Sequence, residues 1–202
     1  MSEKFLETVY AARDSDATRA IYDSWSSTYE DEVASHGYAT PDRCAAALAQ
    51  FVDDLTAPIL DMGCGTGLAG VALRNAGFLT IDGVDLSADM LEIARSKGIY
   101  RNLKVIDAEA RLTPGAYTAI AAVGVIGAGA APATLLSDIM HALPSGGKSV
   151  FSFNDHTLAD PGFEAAVNEW VDCGAACLLF REYGDHLPGI DIKSNVYVLE
   201  KA

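Results

Sequence analysis

The sequence predicts an α/β protein of three layers, with helices on both faces of a seven-stranded, mostly parallel sheet that closes in an antiparallel hairpin. Three observations predict it. Between residues 58 and 153, short apolar runs alternate with stretches of helical period, the pattern of repeated strand–helix units. The first of these runs ends at an acid followed by Gly63, Gly65 and Gly67, a turn that brings backbone close to a ligand where a Cβ would clash. The last two strand-like runs, 176–182 and 191–200, have no helix between them, so they pair antiparallel.

In chain order, residues 3–12 read as a short helix and 15–34 as a longer one, with Tyr22, Trp25, Tyr29 and Val33 on one face. That face is either core or a cover for a ligand with an aromatic ring. Thr40 and Pro41 read as the N-cap and first turn of the next helix. Leu48, Phe51, Val52 and Leu55 form its apolar stripe, and Pro58 ends it. Strand 58–61 follows, then the glycine turn and a helix from Leu68 to Asn75, closed at Ala76-Gly77-Phe78. Strand 79–84 ends at Asp85, Ser87 caps the next helix, and Gly98 stops it. Strands 103–106 and 117–125, helix 132–143 and strand 148–153 complete the repeats; the alanine- and valine-rich run 117–125 reads as buried on both faces. Helix 161–173 and the hairpin close the chain. Right-handed crossovers place a ligand at the carboxyl edge of such a sheet.

The chain has 202 residues, half of them hydrophobic, enough for one packed unit. Residues 1–40 are expected to form an N-terminal helical cap and 41–202 the main domain. The net charge of -14 argues against nucleic acid and anionic membranes, which need clustered Lys and Arg. No apolar run is long enough to span a bilayer, and Met1-Ser2-Glu3-Lys4-Phe5 lacks a signal pattern; a cytoplasmic protein is expected. Cys44, Cys64, Cys173 and Cys177 lack the pairing of a zinc site, so no metal is expected and the four read as buried free thiols.

The stretch 59–67 admits two readings. Gly65, Gly67 and Gly70 satisfy the dinucleotide pattern G-x-G-x-x-G, with Asp85 suitably placed for ribose hydroxyls. Asp61 to Gly67 also satisfies D-x-G-x-G-x-G, and an acid there suits a cationic amine better than a pyrophosphate. A third pattern, Gly147-Lys148-Ser149, mimics the end of a phosphate loop. Ala142 stands where its first glycine belongs, and the tripeptide precedes a strand instead of following one.

Taken together, these residues resemble the class I S-adenosylmethionine-dependent methyltransferases over essentially the whole chain. Residues 61–67 look like the first motif of that family and 84–91 like its second. Asp107-Ala108 resembles the third, Val123-Gly124-Val125 the fourth, and Pro144-Ser145-Gly146-Gly147 the turn before strand five. Residues 22–30 resemble the family's N-terminal Tyr-Asp segment. Within the class the chain looks closest to the Williams–Beuren-region methyltransferase-like proteins, through the Tyr-Asp-x-Trp segment and the tail 195–199.

The resemblance implies a Rossmann-like fold, S-adenosylmethionine as cofactor and S-adenosylhomocysteine as product. It implies that Asp85 accepts both ribose hydroxyls, as a carboxylate can, and that Gly63, Cys64, Gly65 and Gly67 line the amino-acid part with Asp61 near its ammonium. Leu86 and Met90 should pack on the adenine, Asp107 and Ala108 should bind its edge, and Val123 and Gly124 should touch the cofactor through backbone. Tyr22, Trp25 and Tyr29 are lid candidates. Asp85 and Asp107 could instead simply cap turns. The chain departs from the family at Thr118, where many members have Asp, and at 127–130, where Gly-Ala-Gly-Ala replaces His or aromatic residues. Of the residues after strand five, His156 is the candidate general base, if one is needed; Asn154 and Asp155 lie beside it, and Tyr183, Asp185 and His186 could border the same pocket. The expected function is methyl transfer to a small-molecule acceptor. The alternatives are a cofactor-binding protein without catalysis and, third, a nicotinamide-dependent oxidoreductase.

Overall fold

The computed structural model describes residues 28–202 apart from Glu109 and Ala128. The expected helix 3–12 and the first part of helix 15–34 lie outside the described residues. Within them, α1 (Tyr29–Ser35) and α2 (Thr40–Ala49) lead into β1 (Ile59–Met62), α3 (Leu68–Asn75), β2 (Ile81–Asp85), α4 (Ala88–Ser96), β3 (Asn102–Val105) and β4 (Ala119–Ala122). There follow α5 (Thr134–Ala142), β5 (Lys148–Asn154), the short α6 (Asp155–Leu158), α7 (Pro161–Asp172), β6 (Ala176–Leu187), a 3-10 turn (Pro188–Ile190) and β7 (Ile192–Lys201).

The seven strands form one sheet in the order β3-β2-β1-β4-β5-β7-β6. The first five are parallel, and β7 pairs antiparallel with both β5 and β6. Strand order therefore reverses at β1: the chain leaves it toward β2 on one side and returns to β4 on the other. The crevice above the carboxyl ends of β1 and β4 is the switch point where α/β sheets bind ligands.

Period-2 side chains divide the core. Leu60, Ile120, Phe151 and Tyr197 face α5 and α7 on one side. Ile59, Ala119, Ala121, Val150 and Val198 face α2 and α3 on the other. All four residues of β4 are buried, the double-sided burial its composition predicts.

Three expectations need correction. Thr40 is the first residue of α2, not its cap; its hydroxyl lies 2.7 Å from His186 Nδ1. Helix α2 stops at Ala49, so Phe51, Val52 and Leu55 pack on the core from turns. Asp54, whose carboxylate accepts from the Thr56 amide and hydroxyl, offers the backbone a turn in competition with helix. Cys173 and Cys177 are exposed, because one follows the end of α7 and the other sits on the outward face of edge strand β6.

Candidate active site at the carboxyl edge

The glycine turn is built from below. Gly63 and Cys64 donate their amides to Val84 O, and Gly67 donates to Cys64 O. Gly65 donates its amide to Asp85 Oδ2 at 2.8 Å, and Ser87 donates to Asp85 Oδ1 at 2.9 Å. One carboxylate thus fixes both the glycine turn and the start of α4. Gly63, Gly65 and Gly67 all have positive φ, and a Cβ on Gly65 would meet nothing within 4 Å. Gly65 is therefore a glycine for its backbone angle, and it leaves its upper side open to a ligand.

Beneath the turn lies a buried polar pair that no local pattern announces. Tyr100 donates its hydroxyl to Asp61 Oδ2 at 2.7 Å. Asp61 is fully buried, and its Oδ1 has no hydrogen-bond partner among the described residues. Burial pushes the Asp61 carboxyl up to about 7, against the pull of the Tyr100 hydrogen bond and with the Asp85 charge adding to the rise. Burial, then the Asp61 and Asp85 charges, hold the Cys64 thiol protonated. The Tyr100 ring occupies the space that glycines leave: a Cβ on Gly70 would stand 2.2 Å from its hydroxyl, and one on Gly83 2.9 Å from its edge. Gly83, a glycine inside a strand, is the readable sign of a close approach; nothing local names Tyr100 as its cause.

A continuous cavity of about 690 Å³ lies above the crevice, the size of a small-molecule site. Of the residues singled out in the sequence, Tyr29, Gly63, Cys64, Gly65, Asp85, Leu86, Met90, Asp107, Ala108, Val123 and Gly124 line it. Tyr22 and Trp25 lie outside the described residues. Gly67 is the N-cap of α3 and stays off the lining. Asp61, expected near a ligand ammonium directly or through water, is turned onto Tyr100 and is absent from the lining.

His156 also needs correction. It is exposed on α6 and absent from the lining, because the chain turns into that helix directly after β5. Asn154 caps α6 through Thr157 N, and Asp155 accepts from the Tyr183 hydroxyl and the Lys193 amide. Tyr183, Asp185 and His186 lie in β6, and none borders the cavity.

The structure adds residues that the sequence reading missed. Tyr38, Thr66, Leu135, Asp138, Asp160 and Phe163 all line the cavity. Thr66 is 1 % exposed and its hydroxyl has no partner among the described residues, an orphaned polar group at the foot of the cavity. Helix α1 is held at the rim by Lys97 Nζ, 2.6 Å from Glu30 Oε1.

The chemistry of the lining discriminates between the two readings of the glycine turn. The amides at 63, 64, 65 and 67 are all spent on protein acceptors, whereas a pyrophosphate site needs them directed at the ligand. Four carboxylates, Asp85, Asp107, Asp138 and Asp160, line the cavity, and among the described residues no Lys, Arg or His does. That field repels a diphosphate and favours a cation. The residues fit a cationic nucleoside: a carboxylate at the end of β2 for ribose hydroxyls, an open glycine turn, Leu86 and Met90 for a flat ring, and Asp107 at its edge.

Comparison with known proteins agrees with this geometry. Residues 59–147 match the methyltransferase domain model. Methyltransferase-like protein 27 of Homo sapiens is 34% identical over 131 residues, which cover 62% of this chain and 54% of that protein; the chain thus spans about half the length of this relative. Among solved structures, the [4+2]-cyclase SpnF superposes with a TM-score of 0.70 at 17% identity, covering 94% of this chain and 97% of the other. A TehB-like S-adenosylmethionine-dependent methyltransferase from Corynebacterium glutamicum does so with 0.62 at 20%, covering 91% and 99%. By its domain match, its relative, its strand order and its glycine turn, the chain is similar to the class I S-adenosylmethionine-dependent methyltransferases.

Proposed function

We propose that this chain binds S-adenosylmethionine at the carboxyl edge of β1, β2 and β4 and transfers its methyl group to a small-molecule acceptor. The observation that carries the reading is the continuity of the cavity. Its lining includes a strip of Gly63, Gly65, Asp85, Leu86, Asp107 and Val123 and a further group of Gly127, Ala131, Leu135 and Phe163, which we take as the second compartment. The strip suits the cofactor, and the second compartment has room for an acceptor beside it.

When bound, the cofactor supplies a methyl group already activated by its sulfonium charge, so the chain needs only to bind, orient and exclude water. Asp85 holds the ribose hydroxyls while its own orientation is fixed by Gly65 and Ser87. Leu86 and Met90 exclude water from the base. The small residues Gly127, Gly129, Ala130 and Ala131 leave room for an acceptor. No described imidazole lines the cavity, so the acceptor must reach it already nucleophilic or lose its proton to a carboxylate or water. Residues 1–40, carrying Tyr22, Trp25 and Tyr29, are proposed as a cap over this site.

The test is calorimetric titration of wild type and Asp85→Ala with S-adenosylmethionine, S-adenosylhomocysteine and NAD, followed by transfer of labelled methyl to pools of small molecules. The reading expects both sulfur ligands to bind and to weaken at least tenfold in the variant, as for a lost charge-assisted hydrogen bond. Binding of NAD alone would restore the dinucleotide reading. A second reading has its own motive: a structure described as a [4+2]-cyclase shares this fold, and residues 127–130 lack the family's His or aromatic side chains. It expects cofactor binding with no methyl transfer to any pool.

A further inference from the structure

We infer that Tyr38 is a methyl-facing residue: its hydroxyl oxygen stands at the junction of the cofactor strip and the acceptor compartment and accepts from the sulfonium methyl group. The inference rests on the cofactor reading above. It begins with how the chain delivers this side chain. Helix α1 ends in a two-bond C-cap: Gly37 donates its amide to Ala34 O at 3.0 Å, and Tyr38 donates to Val33 O at 3.1 Å. Gly37 has φ +73, the left-handed conformation such a cap requires. The cap reverses the chain and turns Tyr38 inward.

The exit from that cap is clamped to the distant hairpin. Ala39 donates its amide to His186 O at 3.0 Å, and Gly189 donates to His36 O at 2.9 Å. A Cβ on Gly189 would stand 2.9 Å from His36 Cα, so the two segments touch backbone to backbone. The His186 ring meets Tyr38 edge-on, with centroids 5.2 Å apart, and is itself held by the Thr40 hydroxyl at 2.7 Å. Burial lowers the His186 imidazole to about 4, so it is neutral and sets no second positive charge against a bound sulfonium.

What the clamp achieves is a position. A Cβ on Gly124 would stand 2.7 Å from the Tyr38 hydroxyl. Gly124 follows β4, and its neighbour Val125 lies where a Cβ on Gly63 would stand, at 2.6 Å. The turns after β1 and β4 therefore meet at Gly63 and Val125, with the phenol over Gly124 beside them. Tyr38, the cofactor strip and the residues Gly127, Ala131, Leu135 and Phe163 all line the same cavity. A group that passes from cofactor to acceptor must cross this junction. The methyl hydrogens of a sulfonium carry part of its charge and are attracted to an oxygen lone pair. In S-adenosylhomocysteine both the methyl group and the charge are gone.

The two ligands therefore supply the test. Wild type and Tyr38→Phe, as full chains with melting curves compared, are titrated with S-adenosylmethionine and with S-adenosylhomocysteine. The expected result is S-adenosylhomocysteine binding unchanged within twofold and S-adenosylmethionine weakened about two- to fivefold, the scale of one weak C–H···O contact. Tyr38→Leu, which removes the ring as well, should weaken both ligands while keeping the same skew against S-adenosylmethionine. An unchanged ratio of the two affinities in both variants, whether both constants hold or both fall together, overturns the assignment. Wild type that binds neither ligand overturns the cofactor reading itself, and is distinguished because the failure then precedes any substitution.

Discussion

Asp61 is a buried acid whose ionisation the fold opposes, and replacing it with asparagine isolates that cost. Asp61 is fully buried, and its carboxyl rises from an ordinary 3.8 to about 7. The folded state therefore holds a proton that the unfolded chain has already released. For a carboxyl with a raised folded value, stability is fully present below about pH 4 and is lost as pH rises through the window up to about 7. Integrating that linkage between pH 5 and pH 8 gives a loss of about 3 kcal/mol attributable to this one group. The amide of the Asp61→Asn variant cannot ionise, yet its carbonyl can still accept from the Tyr100 hydroxyl. Urea unfolding of wild type and Asp61→Asn at pH 5, 6, 7 and 8, without ligand, measures the difference directly. The variant should gain on wild type by about 3 kcal/mol across the range. Parallel pH profiles for the two proteins would defeat this account, since Asp61 would then be ionised throughout despite its burial.

Gly70→Ala should destabilise by about 1–3 kcal/mol, as overpacking does, because the new Cβ would stand 2.2 Å from a Tyr100 hydroxyl that is held by Asp61. In a Tyr100→Leu background the same substitution should cost measurably less, and a double-mutant cycle by denaturant unfolding checks this. Asp82 is 5 % exposed and accepts from Arg101, Asn102 and Tyr117. Those hydrogen bonds, Arg101 first, hold its carboxyl below the usual range. Asp82→Ala should cost about 2 kcal/mol, below the figure for a fully buried pair because Arg101 is half exposed. That contribution should vanish from wild type as pH falls below about 4, which acid unfolding curves of the two proteins will show.

How far the sequence could be read depends on how local each feature is. The glycines at 63, 65 and 67, the acid ending β2 and the Ser87 cap, whose side chain accepts from Met90 N, all act on neighbours a few residues away. The alternation of strand and helix patterns specifies the repeats for the same reason, and the missing helix between the last two strands specifies their antiparallel pairing. These features placed the crevice and many of the residues that line its cavity. Element ends were less legible: α2 stops at Ala49 because the Asp54 turn competes with its last turn, and β6 runs to Leu187 because β7 is there to pair with it.

Fold class, the glycine turn and the acid at the end of β2 were all written in the chain itself, since period, turn chemistry and capping are properties of adjacent residues. What lies between elements was settled by folding alone. It set the Asp61 carboxylate on Tyr100 across 39 positions and the His186 ring on Thr40 across 146. It turned His156 out of the cavity and brought Asp138, Asp160 and Phe163 into it. Those contacts join residues on separate elements, so no local pattern carries them; they follow from the order in which the strands are laid side by side.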